Sequence, residues 1–260
     1  MEFLKRLKAA VSEDRLDIVA GGIAFYLFLA LFPAMIAGIS IYGLVADPAM
    51  VEQHVGRLEM MMPASAVDIV RMQVDEIIGT QSEGLGWGAA LAILLALLSA
   101  GKGAKALIKG LNIAYDEHER RGFFEKYAVS LGLTVGFLLF LVVSVALIAV
   151  VPGMFDDLPI IAELTKWALL LALILAALAI IYRYGPCTAE PRWTIVGIGS
   201  VTAAVLWLAA SALFSWFAAN FANFNETYGM IAGAAVLLLW LQISSFVILL
   251  GAEINHLLGR

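Results

Sequence analysis

Apolar residues fall in long unbroken runs along this chain, separated by short polar connections. A hydrocarbon core of about 30 Å takes about 20 helical residues. Runs of that order predict spans at Ile18–Val45, Trp87–Leu107, Tyr127–Val151, Trp167–Tyr184, Thr194–Phe221 and Tyr228–Ala252. The first is longer than a perpendicular crossing and contains Pro33, so a tilt or a proline kink absorbs the excess. Only the turn around Asn223–Thr227 separates the last two, which predicts a tight helical hairpin. Two shorter stretches are amphipathic. Phe3, Leu7, Ala10 and Val11 predict an interfacial helix ahead of the first span. Val67, Val70, Val74, Ile77 and Ile78 predict another within the connection at 46–86, lying on the interface or capping the bundle.

Composition agrees with this pattern. Of the 260 residues, 62% are hydrophobic and 14% charged, against roughly 45–50% and about 25% in soluble domains. That surplus cannot be hidden inside a water-soluble globule, so the expected class is an all-α membrane protein, one six-helix domain over residues 1–260. The single cysteine, Cys187, forms no intramolecular disulfide. The charged N-terminal stretch and the long run after it do not resemble a cleavable signal.

Charge then orients the spans. With the six spans in place, 13 of the 16 Lys and Arg residues fall on one side, including Lys5, Arg6, Lys8 and Arg15. Arg57, Arg71 and Lys166 fall on the other. The positive-inside rule puts both termini in the cytoplasm. The 46–86 connection is then external and acidic, and its charges read as a solvated face rather than a metal site.

Several stretches resemble one family. Ala24-Phe25-Tyr26 with Leu31-Phe32-Pro33, the run Leu107–Tyr115 followed by Glu119-Arg120, and Tyr182-Arg183 with Pro186 are similar to pieces of the YihY/BrkB family of bacterial inner-membrane proteins. So are Tyr228-Gly229, Leu239-Trp240-Leu241 and Leu249–Asn255 in the last span. The pieces run in the family's order over essentially the whole chain. The resemblance implies six spans, cytoplasmic termini and residence in the inner membrane. It also implies roles proposed for the family, in virulence or serum resistance and in transport or flipping of lipidic substrates. An older family label, ribonuclease BN, is regarded as mistaken.

The chain's own residues give no support to nuclease chemistry. Acid–base cleavage of RNA needs convergent His, Lys or carboxylate groups, or a metal held by them. His54, His118 and His256 are scattered, and Asp116-Glu117-His118-Glu119 aligns only Asp116 and Glu119 on one helix face. Phosphate-cradling loops, nucleophile elbows and zinc-spaced Cys/His sets are absent from the sequence. The expectation is therefore no enzyme, no cofactor, no metal and no nucleic-acid partner.

Lys102, Lys105 and Lys109 carry more information. Their spacing puts all three on one face at the cytoplasmic end of the second span. Gly101, Gly103 and Gly110 flank them and allow close approach by a neighbouring helix or a lipid headgroup. A basic pocket there suits an anionic headgroup; snorkelling anchors are the plainer reading. Arg183 extends the patch or pairs with Glu253. Gln242, the costliest uncharged polar group inside the bilayer, is expected to face the bundle. With no charged residue or histidine at mid-membrane, a proton-coupled pump is disfavoured. Gly132-x-x-x-Gly136, Gly199-x-x-x-Ala203 and Gly229-x-x-x-Gly233 predict close helix contacts, within one bundle in preference to a homo-oligomer. The leading expectation is a transporter or flippase-like protein for an anionic lipid or amphiphile. Lys102, Lys105, Lys109, Arg183 and Glu253 would lie at the headgroup end, and Tyr26, Pro33 and Gln242 along the path. The alternative is a non-transporting envelope scaffold that binds partners through the acidic external loop.

Overall fold

A computed structural model describes residues 2–45, 85–151, 158–188, 197–220 and 225–259. Among these, every regular element is an α-helix. They are α1 (Glu2–Glu13), α2 (Leu16–Val45), α3 (Leu85–Ala114), α4 (Phe123–Val150), α5 (Pro159–Tyr184), α6 (Ile198–Asn220) and α7 (Asn225–Gly259). Helices answer the bilayer's demand that every backbone N–H and C=O be satisfied within its own segment. Among the described residues, four stretches are long and apolar enough to cross a membrane: Phe123–Ile148, Ile160–Tyr184, Ile198–Phe217 and Gly233–Gly259. The Leu16–Leu31 part of α2 is a shorter apolar helix. The amphipathic stripe Val67–Ile78 lies outside the described residues, and so does Pro33's side chain, although α2 runs through Pro33 as one helix.

The chain divides into two compact units, one of Met1–Phe28 with Gly101–Arg260 and one of Leu29–Ala100. The described part of the second unit is the C-terminal part of α2 and the N-terminal part of α3, where Leu94 and Leu98 are exposed.

In the first unit, α6 packs along α7, α5 against both α4 and α6, and α1 against α7. Its core lies toward one end of these helices. It gathers Leu16, Ala20 and Ile23 from the start of α2 with Leu111 and Ala114 from the end of α3. Leu178 and Tyr182 come from the end of α5, Ala203 and Ala204 from the start of α6, and Val247, Leu249 and Ala252 from α7. Away from this end the helices turn apolar side chains outward, as Phe137, Leu139, Val142, Ile160, Leu213 and Trp216 do. An apolar exterior is what lipid-facing helices require.

Three helix ends extend furthest beyond the expected spans, each for a local reason. α5 starts at Pro159 rather than near Trp167. Proline at the first helical turn loses no intrahelical bond, and the charges that interrupt the apolar run are satisfied on the helix itself. Lys166 Nζ lies 2.6 Å from Glu163 Oε2, and Trp167 Nε1 donates to Glu163 Oε1 at 2.7 Å. α3 runs beyond Leu107 to Ala114, and α7 runs beyond Ala252 to Gly259. Both extensions are amphipathic: Ile108, Leu111 and Ile254 are buried while Lys109 and Leu258 are exposed. The polar residues that end the hydropathic run therefore do not end the helix.

Candidate functional site

The packed end carries a set of polar groups that bind one element to the next. α5 ends in carbonyls with no intrahelical partner, and Arg121, from the link after α3, supplies donors to them. Its guanidinium donates to Gly185 O at 3.0 Å, Tyr184 O at 3.1 Å and Pro186 O at 2.5 Å. A cation at a helix C-terminus also complements the macrodipole. Asn112, buried on α3, donates to Glu119 Oε2 at 3.2 Å and accepts the Cys187 N–H at 2.7 Å. Glu119 Oε1 in turn accepts the Arg121 N–H at 3.2 Å. Asn112, Glu119 and Arg121 thus tie the link after α3 to the link after α5.

A second set joins α5, α6 and α7. The Tyr182 hydroxyl donates to Ile248 O at 2.8 Å, and Asn255 Oδ1 accepts the Gly199 N–H at 2.9 Å near the α6 N-terminus. There the backbones touch. A Cβ on Gly251 would collide with the Tyr182 hydroxyl, with Ala203 Cβ at 2.7 Å and with Gly199 O at 2.8 Å. One on Gly199 would collide with Gly251 O and the Asn255 side chain. The Gly199-x-x-x-Ala203 pattern is a helix–helix contact inside this chain.

Titratable groups collect beside these ties. Glu253 on α7 is only 2% exposed. Its side chain hydrogen-bonds that of Asp14, in the turn between α1 and α2, with Asp116 and His256 nearby. Burial raises the Asp14 carboxyl above its ordinary range, the charges of Asp116 and Glu13 raise it further, and Glu253 and His256 act the other way. Two carboxyl groups in hydrogen-bond contact need a proton between them. The Tyr115 ring meets His256 edge-on at 6.0 Å. Burial raises the Tyr115 hydroxyl, and its hydrogen bond to Asn255 opposes that rise. Among the described residues no group of three or more His, Cys, Asp or Glu side chains is arranged to hold a metal ion.

The expected site residues are distributed as follows. Lys102, Lys105 and Lys109 all lie on the exposed face of α3, with Lys105 Nζ 5.2 Å from the centre of the Tyr127 ring. Two of the three glycines among them serve helix packing, while a Cβ on Gly101 would meet nothing within 4 Å. Gly103 abuts Leu27 of α2, and Gly110 leaves only 3.0 Å between an added Cβ and either Ile23 or Leu249. The lysines therefore form an open ladder rather than the lining of a pocket walled by those glycines. Arg183 is half-buried with its guanidinium 5.3 Å from the centre of its neighbour Tyr184's ring. Gln242 is half-buried and its amide lies near Gly21 of α2, while Tyr26 is exposed, edge-on to Phe25. Sequence reasoning passed over Asp14, Asn112, Arg121, Tyr182 and Asn255 as working groups. Asn112, Tyr182 and Asn255 lay inside the stretches that carry the family resemblance, and that was their available signal.

The BrkB virulence-factor family has a sequence model that matches residues 8–260. This chain belongs to that family. Similar proteins include the ribonuclease-like protein YfkH of Bacillus subtilis, 28% identical over 270 residues covering 100% of this chain and 96% of YfkH. A UPF0761 membrane protein of Aggregatibacter aphrophilus is 25% identical over 96% of this chain and 89% of its own length. Another from Cronobacter sakazakii is 27% identical over 100% of this chain and 89% of its own length. No solved structure matches the chain. The chain is thus a membrane protein of a family that is not an established enzyme family. Its resemblance-bearing stretches at Leu107–Tyr115, Tyr182–Pro186 and Leu249–Asn255 meet at the packed end described above.

Proposed function

We propose that this chain is a six-span inner-membrane protein with both termini cytoplasmic, acting as a transporter or flippase-like protein for an anionic lipid or amphiphile. The observation that carries this reading is the lysine ladder. Lys102, Lys105 and Lys109 stand exposed along about 10 Å of α3, while the opposite face of the same turns packs through Ala104, Ile108 and Leu111. A headgroup sliding along α3 passes from one ammonium to the next without leaving a cation. Arg183 lies at the same end of the bundle on α5, and Tyr26 and Gln242 belong to the helices along the path. Ribonuclease chemistry has no role in this proposal, because the name that suggests it belongs to YfkH.

The test is native mass spectrometry of the purified full chain in mild detergent with added phosphatidylglycerol. Each Lys near an anionic lipid surface contributes about 1 kcal/mol, so Lys102/Lys105/Lys109→Gln is expected to lower retention by roughly tenfold or more. Equal retention by the two proteins, both inserted normally, would reduce the ladder to topology anchors.

A further inference from the structure

A groove of about 460 Å³ opens where α1 turns into α2 and both meet α7. Its volume falls within the roughly 300–1,000 Å³ range of small-molecule sites. Val11 of α1, Ile18 of α2 and Phe246 of α7 give it an apolar side. Lys8 and Ser12 of α1, Arg15 at the corner and Asp17 on the first turn of α2 give it a polar one. Charged groups thus sit where the apolar run of α2 begins, and Ile18, next to Asp17, is 62% exposed. That sequence of polar then apolar lining is the profile of a membrane–water interface, and α1 is an amphipathic helix of the interfacial kind.

The corner has a second unusual feature. Arg15 has φ of 49°, in the left-handed region that favours glycine. Its carbonyl accepts the N–H groups of Ile18 at 3.0 Å and Val19 at 3.1 Å, so its backbone ends α1 and starts α2 in one residue. Glycine would make this turn without the steric cost of a Cβ. An arginine kept in such a conformation adds only its side chain, and that side chain lines the groove. A strained residue is a reason to look for function at that place.

We infer that this groove binds one phospholipid whose headgroup carries both a phosphate and a primary ammonium. Arg15 and Lys8 hold the phosphate, the arginine with its planar fork of donors. The Asp17 carboxylate would repel a purely anionic headgroup and accepts the ammonium. Val11, Ile18 and Phe246 take the first methylenes of an acyl chain. The site is separate from the lysine ladder and stands or falls without it.

The experiment uses the full chain in detergent, as wild type and with Lys102, Lys105 and Lys109 changed to Gln so that the ladder adds no lipid of its own. Native mass spectrometry reads retention of phosphatidylethanolamine, phosphatidylglycerol and phosphatidylcholine of matched acyl chains. The ladder variant is expected to keep one phosphatidylethanolamine per chain in preference to the other two, and the wild type to keep the same molecule beside any phosphatidylglycerol held by the ladder. Arg15→Gly and Lys8→Gln are each expected to cut that retention about fivefold. Arg15→Gly should melt at or above the wild-type temperature, because glycine relieves the corner. Asp17→Asn should erase the preference over phosphatidylglycerol. Water-soluble glycerophosphoethanolamine should fail to displace the lipid; displacement would overturn the lipid assignment in favour of a soluble phosphate compound. Retention unchanged in both Arg15→Gly and Lys8→Gln would overturn the site. Lower melting of Arg15→Gly would overturn the account of the corner, and Lys8→Gln, on an exposed helix face, still decides the binding.

Discussion

Two stretches of this chain carry the same small-residue spacing and meet opposite fates. Gly199-x-x-x-Ala203 on α6 lies in backbone contact with Gly251 of α7, where an added Cβ has no room. Gly132-x-x-x-Gly136 on α4 is exposed, and a Cβ on either glycine would touch nothing within 4 Å. Small residues permit a close approach in a membrane, where helices gain no hydrophobic drive by pairing. What separates the two is the polar reinforcement around the first. Asn255 accepts the Gly199 N–H, Tyr182 bonds to Ile248 O, and Trp207 Nε1 donates to Ser244 Oγ at 3.0 Å across the same pair of helices. On α4 the hydroxyls near the glycines mostly turn back on their own helix: Thr134 bonds Ser130 O and Ser144 bonds Phe140 O, while Ser130 reaches Gly101 O of α3.

The sharpest way to break this comparison is to fill the used contact. Gly251→Ala puts a methyl against Tyr182, Ala203 and Gly199 O, two of which are backbone or a side chain held by its own hydrogen bond. Overpacking of this kind costs about 1–3 kcal/mol. A clear drop in the melting temperature of the detergent-solubilised chain is expected. A melting temperature equal to wild type would mean that α6 and α7 separate easily and that the contact does not hold this end together.

A smaller effect is expected from the carboxyl pair beside that contact. The Asp14 carboxyl is raised above its ordinary value of 3.8 in the folded chain, first by burial and then by Asp116 and Glu13. The folded state therefore holds a proton there that the unfolded state has released. Stability from this group is complete below about 3.8, falls as pH rises through the raised value, and then levels off. Asp14→Asn has no proton to lose and can still share a hydrogen bond with Glu253. Melting temperature followed from pH 4 upward should decline less steeply in the variant than in wild type. Parallel declines would remove Asp14 from the account and leave the Gly199–Gly251 contact as the chief tie at this end.

How much of this was legible in the sequence follows the same division. The apolar runs located α4 to α7, and the match of motif pieces located the family, because both depend on composition and order along one chain. The ends of α3 and α7 were not legible. In Lys102–Leu111 exposed lysines alternate with buried Ile108 and Leu111, so a hydropathy average falls although the helix continues and becomes the core. Arg121 reads as one more positive charge in a basic link; only the C-terminus of α5, brought there by the fold, makes it a cap. The hydrogen bond of Glu253 likewise reaches Asp14, more than 200 residues earlier in the chain. A one-dimensional pattern states what a helix face can accept. The partner that occupies it is a tertiary fact.

The smallest expected effect is the most discriminating for the open face. Gly136→Ala on α4 adds a methyl to empty space and replaces a poor helix former with a good one. In a chain whose α4 face meets only lipid, the melting temperature should stay within the range of an ordinary surface change, about 0.5 kcal/mol either way. A loss as large as that of Gly251→Ala would mean the stripe is packed in the membrane after all, with a second copy of the chain as its partner. Cross-linking of a cysteine placed at Gly132 in a Cys187→Ser background, read in native membranes, separates these cases. Single chains are expected; a disulfide-linked dimer would turn the open stripe into the same kind of contact as Gly199 and Gly251, made between chains instead of within one.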